Sequence, residues 1–311
     1  MSPTSQEEFL ELMLQFTWSL WGELGLSTWG RRHGGWLLDL EPLIVFTGTL
    51  AAQDRRLLRE AATWCVEHQH FISMNQLRHV LKNHDWPNVS DFGHFGATVA
   101  MHSGRTWPGA EAATAFDVQP GQTRRLSDLS ASSLLQLRLR AMFGTGARAE
   151  IVRFFLATKA PERSASEIAR HVSYSQRQVA NDLDALVLSG LLQASKASGP
   201  TRYWLSKPRA LEALAGDLPN VVVDWPDLLF VIAELADALR VLDAEPLRAP
   251  DVEVARRLRE LAPSMRRLRI DPPSLGERSA VDEFRHWALA VVTALSEADP
   301  SAMELSAFGD A

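Results

Sequence analysis

The sequence predicts a mainly α fold in which a central unit of three helices plus a β-hairpin is flanked by N-terminal and C-terminal helical domains. Three observations carry this. Apolar residues recur at helical spacing through most of the chain. Serine-led helix starts crowd into residues 164–178. Directly after them, "LLQASKA" and "RYWLS" read as strands joined by "SGPT", where Gly and Pro favour a hairpin loop.

Taken in order, residues 5–24 place Phe9, Leu12, Met13, Phe16 and Leu20 near helical spacing. "GRRHGG" interrupts, and the apolar run "WLLDLEPLIVFTGTL" follows. Asp54 is placed to cap a helix through "RRLLREAATWCVEH". "FISMNQLRHVLKN" reads as another helix, with Ser73 and Gln76 three apart as in a capping box. Residues 54–82 have the cap and length of a second helix-turn-helix, but no wing follows, so that question stays open. Seven of the ten tryptophans precede residue 110, which predicts an aromatic core, or else an apolar ligand pocket. From 83 to 133 Gly, Pro, Ser and Asp are frequent, so this stretch reads as a connection with one short helix around 96–102.

The central unit is the best marked. "GARAEIVRFFLATK" puts Ala147, Ile151, Phe154 and Phe155 on one helical face. Ser164 and Glu167 make a second capping box, opening a short helix that buries Ile168 and Val172. "SYS" is the corner. Ser175 and Gln178 make a third box, and the next helix buries Val179, Leu183, Leu186 and Val187. Gly190 suits a helix-ending residue of positive φ. Helices and hairpin in this order make a winged helix. The predicted boundaries are 1–133 for a Trp-rich helical domain with an irregular linker, 134–207 for the winged helix, and 208–311 for a C-terminal helical domain. In the last, "LPNVVVDWP" is an extended joint and Pro226 sits in the first turn of a long amphipathic helix. Two further helices follow, around 251–262 and 279–297, and the tail "DPSAMELSAFGDA" is expected to fray.

Charge is unevenly spread. The 311 residues carry a formal charge of -6, yet residues 138–209 hold twelve Lys or Arg against five Asp or Glu. A basic island in an acidic chain suggests a polyanion partner, although solvated Arg faces on ordinary helices are the plain alternative. The outward face of the third central helix offers Gln176, Arg177, Gln178, Ala180, Asn181 and Asp184. Arg can bond guanine in two places, and Gln or Asn can do the same with adenine. A helix N-terminus is the part that enters the major groove in helix-turn-helix docking. Ser173, Tyr174 and Ser175 can offer hydroxyls to phosphates beside the positive helix end. Lys196 and Arg202 flank the wing tip, in reach of a phosphate or minor groove. Asp182 and Asp184 would repel phosphate and are expected to lie aside.

"YSQRQVANDLDALVLSGLL" with "RYWL" resembles the winged helix-turn-helix transcriptional regulators of the ArsR and MarR type. "LLQLRLRAMFGTGARAEIVRFFL" is similar to the lead-in helix of a bacterial winged-helix group of regulators, and the similarity extends loosely into both flanks. The resemblance implies a DNA-binding regulator, usually dimeric. Metal-sensing relatives use Cys or His pairs near the recognition helix. Only His171 stands there in this sequence, so metal sensing does not carry over.

Weaker patterns point elsewhere. Cys65 is the only cysteine, which excludes an internal disulfide and a thiolate zinc cage. Cys65, His68 and His70 match no established zinc spacing, so no metal is expected. "FGTGAR" lacks the preceding strand and third glycine of a dinucleotide site and reads as a helix entry. There is no Walker sequence, no His-Glu-x-x-His and no Ser/His/Asp arrangement in a recognisable context, so neither an enzyme nor a cofactor is expected. No apolar run reaches the roughly 18 residues of a spanning helix. "MSPTSQEEFLELM" is acidic and lacks an export pattern, and the expected location is cytoplasmic, in a bacterial cell. The sequence therefore predicts a sequence-specific regulator, a repressor that binds double-stranded DNA as a homodimer. The alternative is an antitoxin-like or defence-associated protein whose winged helix binds another polypeptide encoded nearby.

Overall fold

The computed structural model describes residues 4–28, 30–121, 126, 128–196, 199–244, 249–274 and 279–299. Among them the chain is mainly helical, with thirteen α-helices and one three-stranded sheet. No described helix is long and apolar enough to cross a membrane. The tail from residue 300 onward lies outside the described residues.

The first five helices are α1 (Ser5–Glu23), α2 (Leu40–Thr49), α3 (Arg55–Glu67), α4 (Met74–Asn83) and α5 (Val89–Ser103). Local chemistry starts several of them. Thr4 and Glu7 close a reciprocal capping box on α1, and Asp54 accepts from the amides of Arg56 and Leu57 at the start of α3. Each such cap contributes about 1 kcal/mol. Ser73 caps α4 by accepting from the Gln76 amide, but the expected reciprocal bond is absent. The Ser73 amide instead donates to Glu41 Oε1 at 2.7 Å, so the Gln76 side chain is left over.

The stretch expected as a connection is built into the core. α5 buries Phe92, Phe95 and Val99, and Trp107 and Val118 follow them inside. Its glycines are packing positions rather than breaks. A Cβ on Gly93 would lie 2.7 Å from the Gly109 carbonyl oxygen, and one on Gly48 of α2 would lie 2.6 Å from the Phe92 ring. Only glycine lets these backbones approach so closely.

The helices at the far end are α11 (Trp225–Ala244), α12 (Pro250–Leu268) and α13 (Ala280–Ser296). They do not form a separate C-terminal core. α13 and α11 both pack on α1, and α11 also packs on α2, so both ends of the chain share one hydrophobic cluster. The Phe16 and Trp225 rings stack at 6.2 Å within it. His33, fully buried, ties the ends together: Nε2 donates to the Leu295 carbonyl at 2.9 Å, and Nδ1 accepts from Ser19 Oγ at 2.8 Å.

A second core lies between these ends in sequence. It holds α6 (Leu135–Phe143), α7 (Ala147–Thr158), β1 (Arg163–Ser164), α8 (Ala165–Val172), α9 (Gln176–Leu188), β2 (Leu192–Ser195), β3 (Arg202–Leu205) and α10 (Pro208–Ala215). α6 sits at the seam, with Leu137 in the first core and Leu135 and Leu139 in the second. The extended segments before α2 and α11 meet there too, where the Leu37 amide donates to the Val221 carbonyl at 2.8 Å. A buried charge cluster crosses the same seam. Arg140 on α6, with no side-chain exposure, pairs with Glu41 on α2 and Glu150 on α7, each at 2.7 Å. Burial acts to raise the Glu150 carboxyl, but Arg153 and Arg140 beside it hold it below its ordinary range.

Candidate nucleic-acid interface

The site is built from α8, the turn after it, α9 and the hairpin. Ser164 and Glu167 close the expected capping box on α8, with the Ser164 amide donating to Glu167 Oε2 at 2.7 Å. The same carboxylate pairs with Arg202 of β3 at 2.6 Å. The Ser164 bonds first, and then Arg202, hold the Glu167 carboxyl down to about 2. Arg202, expected at a phosphate, thus fastens the hairpin to α8 and stays only partly exposed.

The sheet runs β1-β3-β2, antiparallel throughout. β1 gave no sequence signal, because two residues are too few for a period. Across the hairpin Gln193 faces Trp204, and the Trp204 indole donates to Gln193 Oε1 at 3.1 Å. Lys196 follows β2 and is exposed. Residues 197 and 198 of the tip lie outside the described residues.

At the corner, Ser173 ends α8 at a φ of 57°, and its carbonyl accepts from Asn75 Nδ2 at 3.2 Å. Tyr174 is a correction. It was expected to offer its hydroxyl to phosphate, but the side chain is buried and the hydroxyl lies 3.1 Å from Ser73 Oγ. An apolar ring finds more to bury between α4 and the second core than at the surface, and burial pushes its phenol up. Ser175 caps α9 by accepting from the Gln178 amide at 3.2 Å, without the expected return bond. Ser175 itself is exposed.

Beyond the cap, Gln176, Arg177, Gln178 and Asn181 are all exposed, while Val179, Leu183 and Leu186 face inward. The start of α9 is therefore uncovered, although α4 stands directly against the turn before it. Asp182, one helical turn from Gln178, pairs with Arg148 of α7 at 2.8 Å. Asp184 is exposed and lies 3.4 Å from the Tyr203 hydroxyl. Gly190 has the expected positive φ, 75°.

The basic island is less available than its composition suggests. Arg140 and Arg153 are held in ion pairs at the seam, Arg148 and Arg202 pair with carboxylates, and Arg138 donates to the carbonyls of Leu129, Ser130 and Ala131. The exposed remainder is Lys159, Arg170, Arg177, Lys196, Lys207 and Arg209, with Arg163 partly exposed. Ser73 and Asn75, which sequence reasoning did not connect to this site, hold the corner in place. Their local signal is only a helix cap, since their partners lie about a hundred positions away. Among the described residues no group of three His, Cys, Asp or Glu is placed to hold a metal ion, and Cys65 is buried. Comparison with protein-family models, curated proteins and solved structures found no match to this chain.

Proposed function

We propose that residues 147–205 form a winged helix and that the chain is a sequence-specific DNA-binding regulator, acting as a repressor. The observation that carries this is the start of α9, where Gln176, Arg177, Gln178 and Asn181 are all exposed at a capped helix N-terminus. Groups of that kind read base edges in the major groove, and the exposed Lys196 lies at the wing to reach a phosphate. A homodimer would place two such helices about 34–36 Å apart, one turn of duplex. The cytoplasm is the compartment where this function operates. The test is retardation of the DNA upstream of its own coding sequence at about 50 mM salt, where phosphate contacts are strong. Failure to retard that DNA at any protein concentration up to the micromolar range counts against the proposal.

One observation favours a second reading, in which the unit binds and restrains another polypeptide. Five of the island's twelve cations are spent on partners inside the fold, which leaves a modest field for DNA. Stoichiometric co-purification with the product of an adjacent gene, without DNA retardation, supports that reading instead.

A further inference from the structure

A cleft of about 440 Å³ opens between the two cores, within the size range of small-molecule sites. Phe154, Val222 and Trp225 supply apolar wall, and Gln76, His84 and Asp224 supply polar groups.

Those polar groups are incompletely used by the protein. Gln76 is only 4% exposed, and its Nε2 has no hydrogen-bond partner among the described residues. The reason lies in the missing capping box: Glu41 takes the amide that the Gln76 side chain would have met. The His84 ring lies with Nε2 at 2.9 Å from Asp227 Oδ1. Burial acts to raise the Asp227 carboxyl, but bonds from Arg267, His84 and Ser264 hold it down to about 2. An ionised carboxylate only accepts, so Nε2 donates to Asp227. The ring's Nδ1 is buried and has no partner among the described residues. Beside it, Asp224 accepts the Asp227 amide at 3.2 Å. Burial, and then the Asp227 charge, push its carboxyl up to about 6 against the opposing Arg267 charge, a state that a further cation would relieve.

His84 Nδ1 and Gln76 Nε2 are therefore unmet, and Asp224 adds a carboxylate to the same lining. Unmet buried groups cost free energy that a complementary ligand recovers. We propose that this cleft binds a small zwitterion of the amino-acid class, its ammonium on Asp224, its carboxylate on Gln76 and its apolar side chain along Phe154 and Val222. The cleft also reaches Val172 and Ser173 at the end of α8, and α4 both supplies Gln76 and holds the Ser173 carbonyl. An occupant touches α4 and the turn before α9 together. If the chain is the regulator proposed above, the zwitterion is its effector; the site itself does not depend on that reading.

Isothermal titration of the full chain tests the site directly, with the common amino acids, acetate and methylamine as titrants. At least one apolar amino acid is expected to bind. Gln76→Leu and Asp224→Asn, each checked for native circular dichroism, are expected to weaken it tenfold or more. The near-isosteric Asp224→Asn serves if Gln76→Leu does not fold. Three results overturn the site: no amino acid binds, acetate or methylamine binds as tightly, or a folded variant binds unchanged. Duplex binding is measured in a separate titration. A chain that binds the amino acid but no DNA keeps the site and loses the regulator.

Discussion

The Tyr174 hydroxyl and Ser73 Oγ lie 3.1 Å apart although 101 positions separate them in sequence. Ser73 caps α4 in the first core, and Tyr174 immediately precedes the cap of α9 in the second. With the Asn75–Ser173 bond, this pair fixes the exposed end of α9 against the rest of the molecule. Tyr174→Phe keeps the ring and removes the bond. Stability is expected to fall by about 0.5–1.5 kcal/mol in urea unfolding, the ordinary worth of one such bond.

Arg140 is the larger commitment. Its guanidinium is fully enclosed between Glu41 and Glu150, and it also donates to the Phe71 carbonyl at 2.7 Å. Arg140→Met leaves buried carboxylates without their cation, and a loss of about 3–5 kcal/mol is expected. Chemical denaturation measures it. A loss under 1 kcal/mol contradicts a seam held by this charge cluster.

His33 makes stability depend on pH. Burial, which outweighs the Leu295 carbonyl bond, pushes the imidazole down to about 4. The unfolded ring titrates near 6.5, so between those values the unfolded chain binds more protons. The contribution is fully present above pH ~6.5 and is lost as pH falls toward 4. It amounts to at most about 3 kcal/mol. His33→Gln is expected to flatten the stability–pH curve of the wild type over that window, measured as urea midpoints from pH 4 to 7.

Gly93 opposes helix propensity. In an ordinary helix interior Gly→Ala stabilises by about 1 kcal/mol. Here the new Cβ would lie 2.7 Å from the Gly109 oxygen. Gly93→Ala is therefore expected to destabilise by about 1–3 kcal/mol, the range of overpacked sites. A raised urea midpoint would show that the turn at 109 yields.

The central unit was legible because its signals are local. Ser164 meets Glu167 three residues away, and Gly190 ends α9 within its own turn. Legibility fails where the cause is distant. Gly93 looks like a chain break until Gly109 is seen packed against it. Arg140 looks like part of a basic surface until Glu41, 99 positions away, encloses it. Tyr174 sits between two serines and reads as a corner residue, yet its burial depends on α4. The reciprocal caps expected at Ser73 and Ser175 failed for a related reason at the first: Glu41 competes for the Ser73 amide. Likewise, nothing in the tryptophan distribution told that α11 and α13 would complete the core begun by α1.

Selection of bound duplexes from a random DNA pool, run with the wild type and Arg177→Ala, bears hardest on the proposed function. Wild type is expected to enrich a motif, and Arg177→Ala to lose about 1–3 kcal/mol of discrimination at one base pair while keeping the rest. Lys196→Ala, by contrast, should keep the motif and lower the salt slope by about 1. No enriched motif with the wild type, or an identical motif and affinity with Arg177→Ala, contradicts a DNA-reading role for the start of α9.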